Sequence, residues 1–171
     1  MPLPPRTATS GARRSRRGLR FASAVALLGA AAAGLTGCAP TVSLDPAPDA
    51  RNADCAAIMV ALPKTVAGAE RRDTDAQSTA AWGSPASVVL HCGVPVPGPT
   101  TDPCVSIDDV DWVEDASKAP IYTFTSYGRT PATEVTVDTG VVPGSTVLAD
   151  ITPAVGAVAA QGGCVGPQDV G

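Results

Sequence analysis

The stretch IYTFTSYGRTPATEVTVD, residues 121–138, decides the fold. Tyr122, Phe124 and Ser126 alternate with Thr123, Thr125 and Tyr127, and Val135 and Val137 then share one side. Gly128 and Pro131 interrupt the alternation and supply a turn. Period-two patterning on both sides of a turn signal reads as two strands, Ile121–Tyr127 and Ala132–Asp138, with one buried face.

Working outward, ASVVLHC over Ala86–Cys92 reads as a buried strand, and Cys104–Trp112 as another. Trp82-Gly83-Ser84-Pro85 is a turn signal, and Gly93–Pro103 is a Pro-rich loop. Residues 73–81 read as one or two helical turns. Asp54 can cap a helix over Cys55–Leu62, with Cys55, Ile58, Met59 and Leu62 on one face and Pro63 at its end. Ser145 can cap a second helix over Thr146–Ala160, where Leu148, Ile151, Val155 and Val158 share a face; Pro153 kinks or restarts it. The fold class expected is α+β: a small antiparallel sheet of about four strands packed against two helices and stapled by disulfides.

Composition agrees. The 171 residues leave room for one ordinary domain, and 44% hydrophobic residues can build its core. Only 4% are aromatic, so Val, Ala, Leu and Ile must do most of the filling, with Trp82 and Trp112 as anchors. Seventeen Gly and seventeen Pro exclude a long-helix or coiled-coil protein.

The first 38 residues read as an address. Arg13 to Arg20 form a positive n-region, and Phe21 to Leu35 an apolar run of fifteen residues, short of the roughly 20 a spanning helix needs. It leads into Leu35-Thr36-Gly37-Cys38, which resembles a bacterial lipobox. The Cys38 thiol would take a diacylglyceryl group, further palmitate-type chains would give stable anchoring, and cleavage would leave Cys38 as the new N-terminus. Ser15-Arg16-Arg17-Gly18-Leu19 also resembles a twin-arginine export motif, with Arg20 where a hydrophobic residue is usual. The expected organisation is a signal peptide over 1–37, the lipidated Cys38 with a flexible tether to residue 54, and one domain over 55–171. At about 3.1 Å per residue the Pro- and Asp-rich tether would reach on the order of 50 Å.

Residues 38–171 carry six cationic and sixteen acidic side chains. This acidic surface argues against nucleic-acid binding and against electrostatic adhesion to anionic lipid. The expected location is the outer face of the cytoplasmic membrane, reached through the lipid anchor.

Cys55, Cys92, Cys104 and Cys164 remain once Cys38 is set aside, and an even number in an exported domain favours two disulfides. Of the three pairings, Cys92–Cys104 would close the Pro-rich loop and Cys55–Cys164 would tie the first helix to the chain end. The chain-entropy account values these at about 3 and 4–5 kcal/mol. A metal site on Cys92, Cys104 and His91 is disfavoured, because His91 and Cys92 point to opposite faces of a strand.

Candidate chemistry is sparse. His91 is the single histidine, and no Gly-x-Ser-x-Gly or Ser-x-x-Lys motif supplies a nucleophile. The acids Asp108, Asp109, Asp111, Glu114 and Asp115 lack calcium-loop spacing and read as a charged strand edge. Asp73 and Asp75 read as a surface pair. The turn carrying Tyr127 and Arg129, with Glu134 beyond it, is the candidate ligand-binding group; the structural alternative is an exposed Arg129–Glu134 ion pair worth about 0–1 kcal/mol. No catalytic residue, metal or cofactor is assigned.

Taken together, Cys55 with Leu62-Pro63, Ala81-Trp82-Gly83-Ser84-Pro85, Val89-Leu90-His91-Cys92-Gly93-Val94, Asp111-Trp112 and Tyr127 through Val135 resemble an actinobacterial family of exported proteins, domain-of-unknown-function family 3515. His91 stands where that pattern has Arg. The resemblance implies the architecture and an envelope location and brings no activity. The functional expectation is a non-catalytic, membrane-anchored envelope lipoprotein that binds or supports another envelope protein or ligand. The alternative is a small-ligand sensor or adaptor using the Arg129 turn. A cell-wall hydrolase is a third class, for which no nucleophile–base pair is present.

Overall fold

The computed structural model describes residues 40–164. The expected signal peptide over 1–37 and the lipidation residue Cys38 lie outside them.

The domain is α+β, as the alternation implies, but its antiparallel sheet has eight strands rather than four. In chain order these are α1 (Ala53–Ala61), β1 (Thr65–Val66), β2 (Ala69–Arg72), β3 (Thr79–Trp82), β4 (Val88–Val94), β5 (Cys104–Ile107), β6 (Val110–Lys118), β7 (Ile121–Ser126), β8 (Ala132–Asp138) and α2 (Gly144–Val155). The sheet order is β1-β2-β3-β4-β8-β7-β6-β5. Two meanders, β1 to β4 and β5 to β8, therefore meet along one seam where β4 pairs with β8. There Leu90 lies opposite Val135 and Val88 opposite Val137.

Alternation fixes the faces. Val88, Leu90, Cys92, Val135, Val137, Phe124, Trp112 and Val110 are buried in one core with Ile58 of α1 and Leu148, Ile151 and Val155 of α2. Trp82 and Trp112 are both fully buried anchors, as expected. On the other face, Thr79, His91, Glu134, Thr125, Val113 and Cys104 form one cross-strand row.

Several sequence expectations need correction. Residues 79–81, taken with 73–78 as helical turns, instead form a strand with Trp82 of the expected turn, Thr79–Trp82. Its Ala-rich sequence has helix propensity, but pairing with β4 on one side and β2 on the other overrides it. The stretch Cys104–Trp112 is not one strand. It breaks into β5 and β6 at Asp108, which adopts φ +50°, a left-handed conformation that Asp tolerates without glycine. The first helix is capped by Asn52, whose side chain accepts from Asp54 N–H at 3.1 Å, not by Asp54. The second ends at Val155 and starts after Pro143 without a side-chain cap.

The cysteines are paired differently from the expectation. Cys55 is bonded to Cys92, with Cα atoms 5.7 Å apart, and Cys104 to Cys164, 6.5 Å apart. The reason lies in the topology. Cys92 points into the core beneath α1, where Cys55 is buried, whereas Cys104 starts the edge strand β5, four strands away across the sheet. The Pro-rich loop is therefore not closed by a disulfide.

The expected free tether is also corrected over its described part. Pro40–Ala50 forms a strap lying on the domain. Val42 N–H donates to Asp73 O at 2.8 Å, and Asp75 N–H donates to Val42 O at 3.3 Å. Asp49 N–H donates to Gly93 O at 2.9 Å, the Ser78 hydroxyl to Ala50 O, and Arg72 to Pro40 O. Gly93, at φ +93° in the bulge of β4, is required: a Cβ there would overlap the Asp49 backbone.

The Asp75 carboxylate accepts Leu44 N–H at 2.8 Å. That bond first, and the Ser43 hydroxyl second, hold its pKa below the ordinary carboxylate value. A group with a lowered folded-state pKa stabilises the strap above the ordinary value and loses that contribution as pH falls through the lowered one. Below about pH 4, amide exchange at Val42 and Leu44, corrected for its intrinsic pH dependence, should accelerate relative to β4. Asp75→Ala should show the same acceleration at neutral pH. Equal protection of these amides at pH 6 and pH 3 would contradict the assignment.

Candidate functional site

The three residues of the candidate ligand-binding turn go to different places. Glu134 sits in the outer-face row between His91 and Thr125. Tyr127 lines a small cavity of about 100 Å³ together with Thr100, Asp102, Val113 and the Cys104–Cys164 bridge. Arg129 is buried, 4% exposed, and forms no ion pair with Glu134. Its two Nη atoms donate to Val158 O and Asp109 O, so the guanidinium fork joins the chain end to the β5–β6 turn. Nε is buried without a partner.

The sequence offered no sign of this role, because both acceptors are backbone carbonyls distant in the chain. Around this peg the C-terminal segment is laid down as a second strap. Arg129 bridges to Ala160, and Gln161 N–H donates to Gly128 O. Cys164 N–H donates to the Asp111 carboxylate at 2.7 Å. Gly128, at φ +66°, lets Gly162 pass where any Cβ would overlap its backbone.

The acids of residues 108–115 do not converge on a cation site. Asp111 is half-buried and accepts from Cys164 N–H and the Ser106 hydroxyl. Asp115, four residues further along β6, accepts Ser117 N–H at 2.8 Å. The Ser117 side chain first, and its backbone N–H second, hold the Asp115 pKa below the ordinary value. One metal-like cluster occurs among the described residues, Cys104, Asp111 and Cys164, but its two sulfurs are bonded to each other and cannot act as thiolate ligands.

His91 is half-buried, and its Nδ1 has no partner. It faces away from the core that holds Cys92, as alternation along a strand requires. A groove of about 380 Å³ runs past the Ala67-Gly68 and Gly83–Ser87 turns and Asp138–Val142. Its one charged side chain, Asp138, accepts Gly140 N–H at 3.0 Å. No helix of the described residues is long and apolar enough to cross a membrane.

Removing the Arg129 fork leaves two carbonyls without their donor, at about 1–3 kcal/mol for each buried group left unpaired. Arg129→Ala should therefore lower the melting temperature by roughly 10 °C. Arg129→Lys should recover less than half of this, since an ammonium cannot span two carbonyls as a planar fork does. Thermal melts of both variants test this; an Ala variant melting with the wild type would remove the peg from the account.

The profile described as "Protein of unknown function (DUF3515)" matches residues 19–163, most of the chain. No curated protein and no solved structure matches it. The matched span takes in the Cys55–Cys92 disulfide, Cys104, the Arg129 peg, the strap and the apolar run 21–35, and the chain belongs to the DUF3515 family of proteins of unknown function.

Proposed function

We propose that this protein is a lipid-anchored, non-catalytic module of the bacterial envelope, held at the outer face of the cytoplasmic membrane through Cys38, where it binds or supports another envelope component. The observation that carries the non-catalytic reading is how the reactive groups are used. Cys55, Cys92, Cys104 and Cys164 are all in disulfides. Arg129 pins the chain end, Asp111 holds Cys164, and Asp75 holds Leu44. His91 lies beside Glu134 and Thr79 in the outer-face row, and Thr79 donates its hydroxyl to the Ala76 carbonyl at 2.7 Å. This row holds no Ser or Cys activated by a base.

Two disulfides suit an oxidising, extracytoplasmic compartment. The apolar run 21–35 and the Leu35-Thr36-Gly37-Cys38 tetrapeptide fall inside the span that the family model matches. This supports lipidation at Cys38, where two or more acyl chains would give lasting attachment.

Cys38→Ala should abolish the acyl mass on the N-terminal peptide and move the protein from the membrane to the soluble fraction of the native host. A variant that is cleaved at the same bond and stays with the membrane would refute the anchor.

A further inference from the structure

We propose that the strap makes the lipid anchor a short leash, so that the domain stands on the membrane with its β1–β2 edge toward the lipid headgroups and its acidic β5–β6 edge pointing away. This rests on the lipoprotein reading of Cys38.

The first observation is length. A free segment from Cys38 to residue 54 would let the domain roam tens of ångströms from the bilayer. Instead, the chain is held from Pro40 onward, by Arg72 at Pro40 O, by the Val42 pairing with Asp73 and Asp75, and by Leu44 on Asp75. Only two residue steps separate Cys38 from Pro40, a reach of about 7 Å. The strap begins beside Arg72, at the end of β2, the second strand from one edge of the sheet.

The second observation is charge. The opposite edge, β5 and β6 with their turn, carries Asp108, Asp109, Asp111, Glu114 and Asp115 against Lys118 alone. The edge at the strap's start sets Lys64, Arg71 and Arg72 against Glu70, Asp73 and Asp75, with Asp150 at the β1–β2 turn and Asp45 in the strap, three cations to five acids where the far edge has one to five. An anionic headgroup layer therefore repels the far edge more strongly than the near one, within a Debye length of about 8 Å at physiological salt. Eight strands at about 4.8 Å spacing put the far edge on the order of 34 Å from the near one.

The partner of this face is a phospholipid surface. The test is site-specific photocrosslinking of the full-length protein in its own membrane. A benzophenone amino acid replaces Thr41, at the strap's start, or Thr101, before the far-edge strand; both positions are exposed. Mass spectrometry reads phospholipid adducts on each, and acylation of Cys38 in the same samples. The result expected is acylated protein with lipid adducts at Thr41 at least ten-fold more abundant than at Thr101. Acylated protein with equal adducts at both positions overturns the orientation and leaves the anchor standing. Absence of acyl mass at Cys38 overturns both.

Discussion

The pairing of β4 with β8 is the constraint on which the rest of the structure depends. Each half of the chain is a meander of short strands, and the sheet joins them only along that seam, with Val88, Leu90 and Cys92 opposite Val137, Val135 and Thr133. Each disulfide lies within one half. Cys55–Cys92 fastens α1 to β4, and Cys104–Cys164 fastens β5 to the chain end. Neither crosses the seam, so the union of the halves is noncovalent apart from the exposed loop between β4 and β5. It is reinforced by α2, which packs on α1 and whose Asp150 accepts Ala67 N–H at 2.7 Å. Burial of aliphatic side chains along the seam, at about 25 cal/mol per Å² of apolar surface, is the main force holding it.

Around the seam, both ends of the described chain are laid down as straps. Each is seated by a left-handed glycine that lets backbone approach backbone, Gly93 under Asp49 and Gly128 under Gly162. Polar side chains fix each of them, Asp75, Arg72 and Ser78 the first, Arg129 and Asp111 the second. Arg129, Asp75 and Asp111, three of the polar groups that looked available for chemistry, are thus used in fastening. What the domain leaves open is one face of its sheet and its two edges.

The strands of residues 86–92, 121–127 and 132–138 were legible because they alternate and are bounded by Gly and Pro; they form within a residue or two of the expected positions. The family resemblance was legible on the same motifs and is confirmed. Oxidation of all four cysteines was legible from their even number, but their connectivity was not, because it depends on which strands neighbour one another. Thr65–Val66, Ala69–Arg72 and Thr79–Trp82 were hidden, being too short to show a period. The Asp108 turn carries no glycine to mark it. Arg129 was singled out for the right prominence and the wrong partner: the expected ion pair with Glu134 would have been exposed, whereas the observed one is a buried cation on two carbonyls. The candidate trio of Tyr127, Arg129 and Glu134 scatters because strand alternation and the turn send the side chains in different directions.

The seam is tested most directly by cutting the only covalent link across it. A protease recognition sequence placed within residues 96–101, in the exposed loop after β4, allows the folded protein to be nicked there. The nicked protein should elute as one species under native conditions. In denaturant it should fall into two pieces without any reductant, because each disulfide stays inside its own half. Pieces that remain joined in denaturant until reductant is added would contradict the account, as would halves that separate in native buffer.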